Sequence, residues 1–73
     1  MPIPMSYDQI VEDLTDRIER GEYRPGQQLP TYHALSQLYS VSYATIARVI
    51  LVLRDRGVVI GVPGHGVFVP EKE

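Results

Sequence analysis

The stretch from Thr31 to Asp55, TYHALSQLYSVSYATIARVILVLRD, constrains the fold more than any other part of the chain. It predicts two helices separated by a tight corner. Thr31 is suited to cap the first, its hydroxyl accepting a bond from an orphan amide of the first turn. Behind it, Ala34, Leu35 and Leu38 fall on one helical face. The run breaks at Tyr39-Ser40-Val41 and restarts at Ser42, a second N-cap. From there Ile46, Val49, Ile50 and Leu53 recur at i, i+3, i+4 and i+7, the stripe of a core-facing amphipathic helix. Taken alone, the pair fits a helix-turn-helix, whose second helix can enter a DNA major groove, and an ordinary helical hairpin equally well.

The residues beyond the second helix shift that balance. Gly57 stands where a left-handed residue stops the helix. Val58-Val59-Ile60 and Val67-Phe68-Val69 are short β-rich runs around the turn-forming Gly61-Val62-Pro63-Gly64-His65-Gly66. A helix-turn-helix leading at once into a glycine-tipped hairpin is a winged helix. Upstream, Ser6 to Gln9 matches a capping box. Tyr7, Ile10, Leu14 and Ile18, with Val11 alongside, then space out a first helix to about Arg20, stopped by Gly21. Pro25-Gly26 suits the centre of a type II turn, and Gln28-Leu29 can add a brief strand to the wing. The expected class is therefore α+β: three helices and a two- to three-stranded antiparallel wing. It forms a single domain over 1–73, with 1–5 as an extended lead-in and 71–73 as a tail.

At 73 residues the chain is near the lower limit for one core, and with no cysteine it lacks disulfides and cysteine zinc sites as staples. No apolar run reaches membrane-spanning length, and Met1-Pro2-Ile3-Pro4 lacks the regions of a signal peptide, so no membrane association is expected. Net charge is −2, awkward for a nucleic-acid binder, but it is unevenly spread. Residues 1–29 carry six acids against Arg17, Arg20 and Arg24, whereas residues 30–70 carry Arg48, Arg54 and Arg56 against Asp55 alone. The acids Glu12, Asp13, Asp16 and Glu19 sit at helical spacing, with Asp13–Arg17 and Asp16–Arg20 as i,i+4 pairs, which marks a solvated face rather than an acid/base centre.

Other chemistry finds little support. Gly61, Gly64 and Gly66 resemble a phosphate loop, but such loops lead into a helix, and here the next element is a strand. His33 and His65 are the only histidines. No nucleophile–base pair stands out, so neither an enzyme, a cofactor nor a metal is expected.

With those residues assembled, the chain resembles the N-terminal winged-helix domain of the GntR family of bacterial transcription regulators. The likeness runs from Tyr7 to Val69. It rests on the Tyr7–Arg20 helix ending in Gly21, then Pro25-Gly26, Leu29-Pro30, Leu35, Val41-Ser42 and Thr45-Ile46. The Leu53-to-Gly57 helix end and Pro63-Gly64-His65-Gly66-Val67-Phe68-Val69 complete it. The resemblance implies sequence-specific binding to double-stranded DNA, with residues 42–55 in the major groove and the 58–69 wing at the minor groove. It also implies transcriptional regulation, as by a repressor, in the bacterial cytoplasm and at the nucleoid.

Transferred position by position, it implies DNA contact by Thr31, Tyr32, His33, Ser42, Tyr43, Thr45, Arg48, His65 and Gly66. The departures are specific. Tyr43, Ala47 and His33 stand where the family usually has arginine, Ser40 replaces the corner glycine, and Val67 a wing threonine. Lost guanidinium groups mean lost bidentate contacts to guanine, the commonest specific base readout. The 73 residues include no effector domain, so a stand-alone domain is expected, pairing weakly and more strongly on DNA. Leu51 and Val52 lie off the apolar stripe and suggest either partial burial or a contact for a protein partner. Two alternatives stand beside the regulator: a protein-interaction module that has lost its DNA face, and a DNA-architectural accessory of excision or integration.

Overall fold

A computed structural model describes residues 5–71. Helix α1 spans Tyr7–Glu19, α2 Tyr32–Tyr39 and α3 Tyr43–Asp55; strands β1, Ile60–Val62, and β2, Gly66–Phe68, pair antiparallel. This is the expected winged-helix order. Each helix starts at its expected cap. The Ser6 hydroxyl accepts from the Gln9 amide while the Gln9 side chain accepts from the Ser6 amide, completing the capping box. Thr31 and Ser42 accept from the amides of Ala34 and Thr45. Among the described residues no single helix is long and apolar enough to cross a membrane.

The helix ends are equally local in origin. At Gly57 (φ +76°) the chain turns left-handed, and the Val58 amide bonds back to the Leu53 carbonyl at 2.9 Å. The end of α2 has the same pattern with a less suitable residue. Ser40 occupies φ 55°, ψ 45°, and the Val41 amide bonds to the Ser36 carbonyl. A side chain with a Cβ resists that conformation, so the corner holds some strain. The chain turns through 108° between α2 and α3, within the range of a helix-turn-helix.

The core joins Ile10, Val11 and Leu14 of α1, Leu35 and Tyr39 of α2, and Ile46, Val49, Ile50 and Leu53 of α3. Leu29, Val59 and Val69 close it from the wing side. α1 and α2 pack chiefly on α3, which leaves the opposite face of α3 to solvent.

Several sequence expectations are corrected. On α2, Leu35 is buried but Ala34 and Leu38 are exposed, Leu38 by 53%. Meeting α3 steeply, this two-turn helix buries only one edge, Leu35 and Tyr39, and Tyr39 is its last residue rather than part of the corner. The first wing strand is shifted two residues along. The turn after α3 consumes Val58, Val59 drops into the core, and Gly61 and Val62 pair with Val67 and Gly66. Val69 leaves the second strand to be buried and to donate to the Gln27 carbonyl. The third strand is reduced to a bridge, Gln28 to Phe68, with Leu29 donating to the Val67 carbonyl. Met5, non-helical ahead of the Ser6 cap, packs partly buried against the core, while Pro2 and Pro4 lie outside the described residues.

The acidic face of α1 also differs from a uniformly solvated one. Asp16–Arg20 is an exposed pair at 3.0 Å, as expected. Asp13, however, accepts on a single oxygen from both the Tyr39 hydroxyl at 2.6 Å and Arg17 Nε at 2.8 Å, and Arg17 continues to Glu22 at 3.0 Å. These bonds hold the Asp13 carboxyl below its usual range, the tyrosine contributing most, and push the Arg17 guanidinium above its own.

Candidate nucleic-acid interface

Because Ile46, Val49, Ile50 and Leu53 take the inner face of α3, the outer face carries Tyr43, Ala44, Arg48 and Leu51, all exposed, with Ala47 half-buried beside them. This ridge is flanked by two concavities. On the wing side a groove of about 330 Å³ gathers Thr31, Tyr32, His33, Tyr43, His65 and Gly66 from three segments of chain. On the α1 side a recess of about 450 Å³ is lined by Ser6, Tyr7, Ser40, Ser42, Thr45 and Arg48. The nine positions singled out in the sequence are thus brought to one surface, divided into two flanks by the ridge.

The wing-side flank is held by aromatic packing and one clamp. Tyr32 and Tyr43 meet with ring centroids 5.3 Å apart and planes tilted by 49°, joining the starts of α2 and α3. At the wing tip the His65 amide bonds to the Val62 carbonyl, and Gln28 Nε2 donates to the His65 carbonyl at 2.7 Å. Gly66 lies at φ +121°, and a Cβ there would stand 2.7 Å from Gln28 Nε2. The positive φ calls for glycine, a Cβ would also push the end of the Gln28 side chain off the His65 carbonyl, and the exposed His65 side chain is carried on this clamped turn.

On the other flank the Ser42 and Thr45 hydroxyls are already engaged. Ser42 Oγ caps α3 and lies 3.0 Å from Thr45 Oγ1. Arg48 places its guanidinium carbon 4.7 Å from the centroid of the Tyr7 ring, a cation–π contact that leans it towards the start of α1. The other two cations of this half diverge. Arg54 lies against the wing at Gly61 and lines a recess with Tyr32 and the wing tip. Arg56 instead shares a recess with Glu12, Asp16 and Glu19, so it faces the acids of α1 rather than the ridge.

Sequence reasoning missed Tyr7 and Gln28 as parts of this surface and counted Arg54 only as one of the three arginines of this half of the chain. The spacing of Tyr7 assigns it to the apolar face of α1. Arg54 carries a signal in its position, seven residues after Ala47 on one side of α3. Gln28 gives none, because its clamp joins positions 37 residues apart. Of the two apolar residues off the stripe, Val52 packs partly buried against the core, whereas Leu51 is 64% exposed.

A 108° helix pair, an outward α3 ridge and a flanking antiparallel hairpin define a winged helix-turn-helix. Residues 6–69 match the family model of bacterial regulatory proteins of the gntR family, and the chain belongs to that family. It is 40% identical over 63 residues to the HTH-type transcriptional regulator YurK of Bacillus subtilis, covering 86% of this chain and 26% of YurK. It is 33% identical over 66 residues to the mannosyl-D-glycerate transport/metabolism system repressor MngR of Escherichia coli, covering 90% of this chain and 28% of MngR. The DNA-binding domain of AraR, solved in complex with operator ORE1, superposes with a TM-score of 0.82 at 35% identity, over 94% of this chain and 82% of that one. The chain thus spans little more than a quarter of the length of the two regulators.

Proposed function

We propose that this chain is the DNA-binding part of a bacterial transcriptional regulator, acting in the cytoplasm. α3 enters the major groove and the His65 wing tip lies at the adjacent minor groove. The observation that carries this reading is the continuous surface formed by the α3 ridge, the Tyr32–His65 groove and the Tyr7–Arg48 recess. The likeness to the operator-bound AraR domain supports it. Thr31 and Ser42 serve first as caps, and their first-turn amides face the phosphates. Arg48, leaned onto Tyr7 at the edge of the ridge, contacts the backbone rather than a base. Two copies on a two-fold pair of half-sites associate weakly, and more strongly on DNA.

The test is a fluorescence-anisotropy titration of duplex DNA at several salt concentrations with parent and Arg48→Ala. Each phosphate neutralised contributes a log–log salt slope of roughly −0.9. Arg48→Ala is expected to weaken binding on all sequences alike and to make the slope shallower by about 1. An unchanged slope would remove Arg48 from the interface, and no binding by the parent at low salt would overturn the function.

A further inference from the structure

The outer face of α3 is unusually poor in hydrogen-bonding groups for a helix that reads bases. Its exposed or half-exposed side chains from Tyr43 to Leu51 are Tyr43, Ala44, Thr45, Ala47, Arg48 and Leu51. Arg48 is drawn to the flank by Tyr7, and the hydroxyls of Ser42 and Thr45 face each other at the cap. What remains along the centre of the ridge is two alanine methyls and a leucine, while Tyr43, with its hydroxyl, packs against Tyr32 on the wing side. Eight residues of helix rise span about 12 Å, enough to cross the floor of a major groove about 12 Å wide.

The four base pairs differ in the major groove by donors and acceptors, but only thymine offers a methyl group there. A ridge of apolar side chains cannot satisfy the acceptors of guanine, and pressing it against them strips their water without replacement. Against thymine C5-methyl groups the same ridge buries apolar surface at no such cost. From the exposure of Ala44 and Leu51, the half-exposed Ala47 between them and the diversion of Arg48 onto Tyr7, we infer that α3 recognises its operator through thymine methyl groups. The half-site facing the ridge is therefore thymine-rich, with Leu51 and Ala47 the specificity-determining residues. This rests on the DNA-binding reading above and names the chemistry of its partner.

Deoxyuridine isolates the methyl, because it keeps every hydrogen-bonding group of thymine. Binding sites are first selected from a random duplex library with the parent protein at low salt. Each thymine of the selected half-site is then replaced singly by deoxyuridine, and each guanine by 7-deazaguanine, which removes the N7 acceptor. The expected result is a loss of about fourfold per methyl at two or more adjacent thymines, the factor given by burial of one methylene-sized group. The guanine replacements in that segment should have little effect. Leu51→Ala, at a position already 64% exposed and hence without cost to the fold, should abolish the deoxyuridine effect at one of those thymines while sparing the others. Full affinity for the deoxyuridine sites, or losses confined to 7-deazaguanine, overturns the inference and leaves DNA binding intact. Sequence-independent retention of the library does the same. Failure to retain any duplex overturns both.

Discussion

Tyr39→Phe should destabilise the domain through one atom. The ring lies in the core, 8% exposed, and phenylalanine fills the same space. What is lost is the hydroxyl, which donates to Asp13 at 2.6 Å. A hydrogen bond to a charged partner contributes about 1.5–3 kcal/mol. Two features place this one at or below the lower end of that range. Asp13 is about a third exposed and keeps its bond to Arg17, so no buried charge is orphaned. Phenylalanine also avoids the desolvation of a hydroxyl. The expected loss is about 1–1.5 kcal/mol, equivalent to about 4–12 °C in Tm for so small a domain.

The pH dependence separates this bond from a packing effect. The Asp13 carboxyl is held below its usual range, first by the Tyr39 hydroxyl and then by Arg17. Its contribution is therefore present above the unfolded value, about 3.9, and is lost as pH falls through the depressed folded value. The Tyr39 hydroxyl is pushed above its usual range, first by burial and then by the bond to Asp13. That contribution is present below the unfolded value, about 10, and is lost as pH rises through the raised folded value. Urea denaturation monitored by circular dichroism should thus show a constant deficit for Tyr39→Phe between about pH 5 and pH 9, narrowing towards pH 2. A double-mutant cycle with Asp13→Asn should give a coupling of at least about 0.5 kcal/mol. A variant as stable as the parent at pH 7, or a deficit undiminished at pH 2, would refute this account. The bond matters for the DNA surface because α2 and α1 pack chiefly on α3 rather than on each other. Tyr39 ties the end of α2, and so the start of the corner, directly to α1.

Three further outcomes are expected of the backbone and the core. Ser40→Gly should raise stability by about 0.5–1 kcal/mol in thermal melts, since the left-handed φ of 55° costs a residue with a Cβ more than glycine loses in chain entropy. Gly66→Ala should cost about 1–3 kcal/mol and weaken DNA binding, because φ +121° is strained for alanine and the new Cβ displaces Gln28 from the His65 carbonyl. An added Gln28→Ala should relieve the steric part of that loss but not the backbone part. Ile50→Ala, at a fully buried position in the core, should cost about 2–5 kcal/mol, enough to leave a substantial unfolded fraction at room temperature by heteronuclear NMR.

The parts of the fold that were legible in the sequence are those with a local cause. Ser6, Thr31 and Ser42 cap helices by bonds that span three residues, and Gly21 and Gly57 end them within the next two. The stripe Ile46–Leu53 is regular because α3 is the helix on which α1 and α2 both pack. The stripe on α2 misled because the helix touches the core along one edge only, so spacing alone could not separate Leu35 from Leu38. The wing register failed for a related reason: Val58, Val59 and Ile60 are equally β-prone, and the turn after Gly57, not β propensity, decides where pairing begins.

That the nine positions lie on one surface was legible in the sequence, but their arrangement on it was not. Position along α3 picks out Arg48 as an outward-facing cation, and sequence alone leaves it free to read a base. The Tyr7 ring that captures it belongs to a distant part of the chain, on a face of α1 that periodicity assigns wholly to the core. That single long-range contact converts the ridge from one with an arginine at its centre to one whose centre is Ala44, Ala47 and Leu51. Substitutions of arginine on such a helix therefore do not simply subtract affinity. On the reading proposed above, a cation retained at the edge of an apolar ridge makes backbone attraction and base choice separable, the first carried by Arg48 and the second by methyl contacts. Tyr7→Leu probes that separation directly. It should free Arg48 to swing from the backbone towards the bases, altering the selected sequence and making the salt slope shallower by up to about 1. An unaltered selected sequence would show that Tyr7 does not decide where Arg48 points on DNA.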